Sequence, residues 1–334
     1  MDKNTITKTG KKYLVTGTTG HLCPHLINIL LNKGHEVYAL HRRTNGGEME
    51  IVDVLGPDNI EKVNFIYGDF TNFNDLDKIF KSFKFNGVYH LGAQSSPSVA
   101  VKEPLLTMHI NVIGTANIIQ AITENQPECK LLFVSTSEVY GNSINEGEKI
   151  KEDAPLHGAN PYSASKIASD IYLQERIENG KINAVITRAF SHLSSRRGRN
   201  FSISSDAYQI AAMMVGKQEK VLKIGNLDTI RVVIDGKDVA MAYYMLMEHP
   251  DSTGIYNVCG DTPHKMRYYT DLLIEASGLK DVKREIYKPY WRDIEIQYQM
   301  GDSTKIKELT GWKPTIPIEQ TMSDVLNYWV KKLS

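Results

Sequence analysis

Apolar segments with strand character alternate with helical segments through the first 190 residues, and this alternation constrains the fold more than any other feature. The strand-like segments cover residues 12–16, 35–40, 63–67, 87–91, 130–134 and 183–187, and helical patterns separate them, notably at 104–125 and 161–178. Strands that are apolar throughout are buried on both faces, as in a parallel sheet that is covered by helices. The sequence therefore predicts an α/β fold with a doubly wound parallel sheet of the Rossmann type.

The pattern changes after about residue 190. Helical segments predominate there, at 203–215, 236–248, 266–276, 303–310 and 318–332, with short strands between them. We expect residues 1–190 to form a Rossmann domain and residues 191–334 to form a smaller, mostly helical substrate lobe. Strands from the second part are expected to return to the sheet, so the boundary is approximate.

Composition narrows the classes of protein that the chain can belong to. The charges balance, with 39 lysine and arginine residues against 39 aspartate and glutamate residues, so no overall field attracts nucleic acid or a membrane. Three widely spaced cysteines argue against a disulfide framework or a metal site and for a reducing compartment. The first residues are polar, and the longest apolar run, 26–31, is too short to span a bilayer. These features predict a cytoplasmic protein.

A glycine turn follows the first strand-like segment and opens the first helix, where a dinucleotide phosphate loop belongs. Gly17 permits the tight turn, and Gly20 lets a pyrophosphate approach the helix N-terminus. Cys23 stands where a third glycine is usual, and a plain glycine turn is the alternative interpretation. The predicted cofactor contacts of this loop are Gly17, Thr19, Gly20, His21 and Leu22.

The second strand-like segment ends in two arginines, where NAD-binding proteins carry an acidic residue. The guanidinium groups of Arg42 and Arg43 suit the additional phosphate of NADP, because each can form bidentate hydrogen bonds to it. A solvated basic loop is the alternative. The ends of the next two strands extend the predicted cofactor site, with Asp69 and Phe70 near the adenine and Leu91 and Ala93 along the ribose–nicotinamide part.

Tyr162 and Lys166 are four residues apart, just after Asn160-Pro161, which is typical of a helix start. Positions i and i+4 of a helix share a face, so the ammonium is expected beside the phenol. A nearby positive charge lowers the pKa of a phenol and makes it a usable proton carrier. We therefore predict that Tyr162 and Lys166 are catalytic and also contact the cofactor.

The fifth strand-like segment ends in hydroxyl groups and one carboxylate, at the edge of the sheet where ligands bind. The hydroxyl of Thr136 is placed to polarise a substrate oxygen. Glu138 is unusual, because hydride transfer alone needs no carboxylate, whereas removal of a carbon-bound proton beside a carbonyl does. A surface carboxylate, or a partner for Lys166, is the alternative interpretation of Glu138.

Together these segments resemble the extended short-chain dehydrogenase/reductase family over nearly the whole chain. The matching stretches are residues 16–20, 68–69, 90–95 and 111–115, the Tyr162/Lys166 pair, and residues 311–314. Members of this family act mostly on nucleotide-linked sugars. The resemblance therefore implies the Rossmann fold, a nicotinamide cofactor and a nucleotide sugar as the substrate.

Within that family the chain resembles the GDP-mannose 4,6-dehydratases and the GDP-4-keto-6-deoxymannose reductases. Residues 225–231 match both, residues 256–260 are closer to the reductases, and residues 135–138 and 195–201 are closer to the dehydratases. The resemblance implies an NADP-dependent lyase that removes water from a GDP-linked, mannose-type sugar. The alternatives are a reductase of a GDP-4-keto-6-deoxy sugar, a nucleotide-sugar 4-dehydrogenase or epimerase, and a non-catalytic regulator.

The resemblance also implies roles for individual residues. Arg231 and Arg292 would clamp the diphosphate of the sugar nucleotide. An arginine loop that includes Arg197 reaches the cofactor of a neighbouring subunit in the dehydratases, which implies a homo-oligomer, a dimer or a tetramer. The remaining implied substrate contacts are Asn226 and His192 near the nucleotide and Ser96 near the sugar.

Four positions depart from the pattern of these relatives. Ser191 replaces an asparagine before His192, Val232 and Val233 replace the acidic and aromatic residues that follow Arg231, and Cys23 replaces a glycine. These changes leave open a nucleotide site that is reshaped for another sugar, such as a heptose or a different hexose, and a site that has lost nucleotide binding altogether.

Overall fold

A seven-stranded parallel sheet forms the centre of the molecule in the computed structural model, which describes residues 10–42, 51–142, 147–291 and 295–334. In chain order the strands are β1 (Lys12–Thr16), β2 (Glu36–His41), β3 (Val63–Tyr67), β4 (Gly87–His90), β5 (Lys130–Val134), β6 (Ala184–Ala189), β7 (His192–Leu193), β8 (Val221–Ile224), β9 (Ile230–Arg231), β10 (Ile234–Asp235), β11 (Gly254–Val258), β12 (His264–Lys265), β13 (Lys283–Ile286) and β14 (Tyr298–Gln299). The sheet has the order β3-β2-β1-β4-β5-β6-β11. The predicted fold class is confirmed.

Helices cover both faces of the sheet and build the second lobe. In chain order they are α1 (Cys23–Asn32), α2 (Val52–Leu55), α3 (Pro57–Ile60), α4 (Phe73–Ser82), α5 (Pro97–Lys102), α6 (Pro104–Met108), α7 (Gly114–Asn125), α8 (Pro161–Glu178), α9 (Ser202–Met214), α10 (Gly236–Glu248), α11 (Met266–Ser277), α12 (Thr304–Thr310) and α13 (Ile318–Leu333). A π-helical turn, His109–Ile113, joins α6 to α7, so residues 104–125 form one continuous helical stretch. The sequence pattern places α8 with the bounds that the structure shows.

The strand order reverses between β1 and β4, and this switch point positions the ligand site. From β1 the chain continues outward to β2 and β3, and β4 then pairs with the opposite side of β1. The connections after β1 and β4 therefore leave the sheet in opposite directions, and a crevice opens between the carboxyl ends of the two strands.

The alternation of side chains along β1 shows why the strands must be apolar throughout. Tyr13 and Val15 pack into the apolar cluster on one face of the sheet, and Leu14 packs into the cluster on the other face. All three side chains are at most 1% exposed. A strand that is buried on both faces has no position for a solvated side chain, as the sequence pattern indicated.

Helices α9, α11 and α13 pack together around a third apolar cluster and form most of the second lobe. Two segments beyond residue 190 return to the sheet domain. Strand β11 pairs with β6, and helix α10 packs on α1. Residues after 190 therefore contribute to both parts of the molecule.

The helical stretch 104–125 is long and apolar enough to cross a membrane by length and composition alone, a criterion that core helices also meet. Its inner side carries polar residues that are buried and paired. The Asn111 amide donates to Ser165 Oγ (2.8 Å), and Thr115 hydrogen-bonds His90 (3.1 Å). The inner face of this helical stretch is therefore buried against the rest of the protein, as in a core helix.

A buried ion pair connects β6 to α8 behind the ligand site. Arg188 and Asp170 are at most 1% exposed, and the guanidinium binds the carboxylate through Nε–Oδ2 and Nη2–Oδ1 contacts of 2.9 Å each. Ser135, at the end of β5, donates to Asp170 Oδ2 (2.8 Å). Because both charges are desolvated, the two side chains depend on each other.

We predict that Arg188→Met destabilises the protein by about 3–5 kcal/mol, because it leaves the carboxylate of Asp170 buried without its counter-charge. The double variant Arg188→Met/Asp170→Leu should regain much of that loss, since it removes both desolvated charges. Urea unfolding of the two variants and the parent protein measures both effects. A single variant as stable as the parent would contradict the role of the ion pair.

Candidate active site

A cleft of about 1040 Å³ opens at the switch point, between the sheet and the second lobe. The loops after β1, β4 and β5 and the start of α8 line its sheet side, and α9 and the segments around β9 and β14 line its lobe side. Most residues singled out in the sequence meet here. The predicted site residues that line this cleft are Gly17, Thr19, Gly20, His21, Leu22, Leu91, Ala93, Thr136, Glu138, Tyr162, Lys166, His192, Arg197, Asn226 and Arg231.

The glycine turn after β1 has the geometry of a phosphate loop. Gly17 has a φ of +75°, and a Cβ atom there would lie 2.7 Å from the backbone nitrogen of Gly92. Helix α1 begins without a side-chain cap and without an acidic residue in its first turn. Its N-terminus is therefore suited to an anion such as a dinucleotide pyrophosphate.

Cys23 takes the place of the third glycine and is fully buried in the core cluster beside α1. Burial raises the pKa of its thiol, so the side chain acts as a small apolar residue. The core around the start of α1 thus accommodates a cysteine in place of the third glycine, and Gly17 and Gly20 of the loop are retained.

Arg197 ties the phosphate loop to the second lobe within the same chain. Its Nη1 donates to His21 Nε2 (3.0 Å) and to the His192 carbonyl (3.0 Å). Nε2 of His21 is therefore the acceptor, and Nδ1–H donates to Ser194 Oγ (2.7 Å). Burial, and then Arg197, hold the pKa of His21 well below its ordinary value. An Arg197 side chain in a neighbouring subunit's site would first have to leave these contacts.

The hydroxyl of Thr136 lies close enough to the phenol of Tyr162 in the cleft to lower its pKa. Thr136 follows β5 and caps the short 3₁₀ turn Ser137–Tyr140 by accepting from Glu138 N (3.2 Å). Burial, followed by the charge of Glu138, raises the pKa of Tyr162. The pKa of Tyr162 is therefore raised, where the sequence predicted that Lys166 lowers it, because desolvation of the phenol is the largest cause.

Lys166 is 2% exposed, and its ammonium lies 4.1 Å from the centre of the Phe133 ring. No hydrogen bond or ion pair to its Nζ occurs in the described part of the chain. Burial lowers the pKa of Lys166 to about 7, while Asp170 acts in the opposite direction. A lysine that is itself desolvated to this extent is a weak electrostatic partner for Tyr162. This explains why Lys166 does not bring the pKa of that phenol below its ordinary value.

Asn160 orients Glu138, a role that the sequence did not reveal. Its Oδ1 accepts from Ser163 N (2.9 Å) and caps α8, while its Nδ2 donates to Glu138 Oε2 (3.1 Å). The same side chain thus fixes the start of the helix that carries Tyr162 and the carboxylate beside it. The sequence indicated only the cap, because the partner of Nδ2 lies in the 3₁₀ turn Ser137–Tyr140, 22 residues earlier in the chain.

On the lobe side the predicted substrate residues are largely engaged with the backbone. Arg231 donates to the carbonyls of Ile230 (2.8 Å) and Ile296 (2.5 Å), and the His192 ring contacts the Phe190 carbonyl (2.8 Å). Burial, and then Arg197, lowers the pKa of His192 to about 3. These contacts fix the direction of both side chains at the cleft wall.

Several predicted residues do not line the cleft. Ser96 is buried and hydrogen-bonds Ser98 (3.0 Å), so its neighbours Ser95 and Ser98 face the cleft instead. Arg42 is exposed at the end of β2, and Phe70 packs on His90 with a ring separation of 5.2 Å. Asp69 accepts two hydrogen bonds from Thr71. The predictions for Arg43 and Arg292 lie outside the described residues.

Asp206 lines the cleft and was missed in the sequence. It lies on α9 and is 3% exposed, and it accepts from Thr270 Oγ1 (2.8 Å). The helical spacing from Ile203 through Asp206 to Ile210 puts the carboxylate on the apolar face, which was the available signal. Within the described ranges, no group of three or more His, Cys, Asp or Glu residues could hold a metal ion.

The cleft lies at the switch point of the sheet and carries a glycine phosphate loop. It also presents a hydroxyl, a phenol, a carboxylate and an ammonium group. These features define the extended short-chain dehydrogenase/reductase class. The family can be stated more narrowly. The chain belongs to the GDP-mannose 4,6 dehydratase family, whose model matches residues 14–325.

The curated relatives include a reductase and a dehydratase, the two activities that the resemblance in the sequence implied. The GDP-6-deoxy-D-mannose reductase of Pseudomonas aeruginosa is 32% identical over 74% of this chain and 81% of that protein. The GDP-mannose 4,6 dehydratase 1 of Arabidopsis thaliana is 30% identical over 94% of this chain and 88% of that protein.

Solved structures agree with this fold. The Pseudomonas aeruginosa RMD structure in complex with NADPH superposes with a TM-score of 0.79 at 25% identity, over 96% of this chain and 99% of that chain. The Thermus thermophilus UDP-glucose 4-epimerase in complex with NAD gives a TM-score of 0.81 at 24% identity, over 95% and 98% of the two chains, which supports the fold alone.

We predict that Lys166→Met stabilises the ligand-free protein by on the order of 2 kcal/mol, because it removes a desolvated ammonium. The pKa of Lys166 is about 7 when folded, against an ordinary value of 10.5. Between these values the unfolded chain holds the proton and the folded chain does not, so the parent protein gains stability as pH rises. The advantage of the variant should therefore shrink toward alkaline pH in thermal unfolding. An advantage that grew with pH would contradict this account.

Proposed function

We propose that this protein is an NADP-dependent nucleotide-sugar 4,6-dehydratase that acts on a GDP-linked, mannose-type sugar. The observation that carries the proposal is the carboxylate of Glu138, which Asn160 holds in the cleft close enough to Tyr162 to raise its pKa. A dehydration needs a base for a carbon-bound proton in addition to the phenol that serves hydride transfer. Family membership supports the same reaction.

NADP is the proposed cofactor. A relative of known structure is described in complex with NADPH, and the phosphate loop and the uncapped start of α1 in this chain fit a dinucleotide. Bound in the cleft, NADP would accept a hydride and return it, and the positive charge of its oxidised ring would favour an ionised phenol nearby. The remaining chemistry falls to the side chains of the protein.

Tyr162 removes the proton of the C4 hydroxyl as hydride leaves C4, and Thr136 hydrogen-bonds the developing ketone. The ketone makes the neighbouring C5–H acidic. Glu138 takes the C5 proton and delivers it to the hydroxyl that leaves C6, so one water forms. The hydride held by bound NADP would then return to C6, while Tyr162 gives the proton from the C4 hydroxyl to C5 and is again ionised. Each proton and hydride is accounted for, and the net change is the loss of one water.

A reductase of a GDP-4-keto-6-deoxy sugar is the second candidate. It is favoured by the identity of 32% to the Pseudomonas aeruginosa reductase. That reaction consumes one reduced cofactor for each product and has no step that removes a proton from carbon. Glu138 would then have no catalytic role.

We predict that the purified protein converts GDP-mannose to a product that is one water lighter, without net consumption of NADPH. Glu138→Gln should lower this rate about 10²- to 10⁴-fold, as expected for the loss of a general base. Mass spectrometry of the sugar nucleotide measures both. The amide retains the shape of the side chain and can still face Asn160, so the site should remain folded.

The matched control is Glu295→Gln, which alters another carboxylate at the cleft wall that has no assigned catalytic role. It should retain most of the activity. NADPH consumption with a 4-keto-6-deoxy substrate, at equal rates in the parent protein and Glu138→Gln, would replace the dehydratase with the reductase.

We also propose that the protein is a homo-oligomer, built on a two-fold contact between the outer faces of α6 and α8. These helices pack side by side and expose apolar side chains, with Leu105 83%, Leu106 49% and Ile171 53% exposed. A second copy that is related by two-fold symmetry would bring the same face against itself and complete a four-helix contact.

The double variant Leu105→Glu/Ile171→Glu should convert the oligomer to monomers, because it would bury like charges across the two-fold contact. Light scattering coupled to gel filtration measures the mass. Ile286→Glu, at an exposed apolar position on β13, is the control and should leave the mass unchanged. A parent protein that is already monomeric would refute the contact.

A cytoplasmic location remains part of the proposal. Cys23, Cys129 and Cys259 are buried and free in the structure, which fits a reducing compartment.

A further inference from the structure

Asp206 is a buried carboxylate in the lobe-side wall of the cleft. Its Oδ2 accepts from Thr270 Oγ1 (2.8 Å), and its Oδ1 accepts no hydrogen bond from the residues that the structure describes. Burial raises the pKa of Asp206 to about 7, which measures how poorly the site solvates a charge. A carboxylate at such a position costs stability and calls for a functional explanation.

The negative charge of the Asp206 carboxylate excludes phosphate as the group that it binds, although Arg284 lies close enough to act on it. The cations of the lobe side, Arg197, Arg199 and Arg231, suit an anionic diphosphate. A carboxylate repels the same group. Asp206 therefore matches a part of the ligand that presents hydrogen-bond donors and carries no negative charge.

Apolar residues stand near Asp206 in the cleft wall, together with Ser202, Ser204 and Ser205 of α9. Ile203 lies one turn before it on α9, and Met266 lies one turn before Thr270 on α11. Val233 also lines the cleft and belongs to the same apolar cluster. A flat aromatic ring with donors on one edge fits such a combination of aliphatic side chains and one carboxylate.

This surface is continuous with the proposed diphosphate site. Tyr269, next to Thr270 on α11, donates to the Arg231 carbonyl (2.9 Å) and accepts from Val233 N (3.2 Å). The segment with Arg231 and Val233 is therefore fixed to the helix that holds Asp206 in place. A nucleoside diphosphate could thus extend from Arg231 to Asp206 along one wall.

We propose that Asp206 recognises the guanine base of the substrate by accepting hydrogen bonds from its N1–H and 2-amino groups. The inference rests on the proposed function and specifies its nucleotide. Guanine presents two adjacent donors, which match the two oxygens of a carboxylate. Uracil and thymine present one N–H between two carbonyl oxygens, and those oxygens are repelled by Asp206. The residue therefore determines specificity for GDP-linked over UDP- or dTDP-linked sugars.

Titration calorimetry with GDP, IDP and UDP tests this assignment without turnover, and IDP differs from GDP only by the missing 2-amino group. The parent protein should bind GDP about 10- to 100-fold more tightly than IDP or UDP, as expected for hydrogen bonds to a charged group. Asp206→Asn should lose most of this preference. The matched control Asp271→Asn changes an exposed carboxylate on α11 and should keep it.

Asp206→Leu is the second variant, because an apolar side chain suits this surrounding and should fold well. It should bind the three nucleotides with similar affinities. Equal binding of GDP and IDP by the parent protein, or an unchanged GDP preference in both Asp206 variants, would overturn the assignment. If the protein prefers GDP but the preference does not depend on Asp206, the assignment of Asp206 is overturned and the proposed function stands. If the protein dehydrates none of the GDP-sugars, the proposed function itself is overturned.

Discussion

The close contact between the loops that follow β1 and β4 determines where the cleft can form. Gly17 lies against the backbone of Gly92, whose N–H donates to Thr16 Oγ1 (3.0 Å), so no side chain fits between the two loops. The start of α1 and the end of β4 are thereby held on opposite sides of one crevice. The end of β5 and the start of α8 lie beside the same crevice, and the second lobe covers it.

Desolvation is the largest influence on the titratable groups of the cleft. It raises the pKa of Tyr162 and lowers the pKa of Lys166 to about 7, so each group is biased toward its neutral form. In water a lysine would be expected to acidify a nearby phenol, but a buried lysine that is partly neutral offers little charge for this purpose. Tyr162 and Lys166 thus lie in a wall that disfavours ions, and ligands that bring charge into the cleft change this balance.

The sequence predicted the features that depend on local pattern. The parallel sheet follows from strands that are apolar throughout, the start of α8 follows from Asn160-Pro161, and the phosphate loop follows from Gly17 and Gly20 between a strand and a helix. Residues whose role depends on partners from distant segments were not predictable. Asn160 reaches Glu138 across 22 positions, Arg197 reaches His21 across 176, and Asp206 reaches Thr270 across 64. No spacing rule connects such pairs, so only the folded chain shows them.

The coupling between Glu138 and Tyr162 bears on the order of the proposed steps. Glu138 disfavours the ionised form of Tyr162, because its charge raises the pKa of the phenol. In the proposed reaction Tyr162 is neutral once it has taken the C4 proton, and the charge of Glu138 favours that neutral form. The ketone that forms at C4 then makes C5–H acidic. The reductase alternative gives Glu138 no catalytic role, so the contact between Asn160 and Glu138 supports the dehydratase proposal.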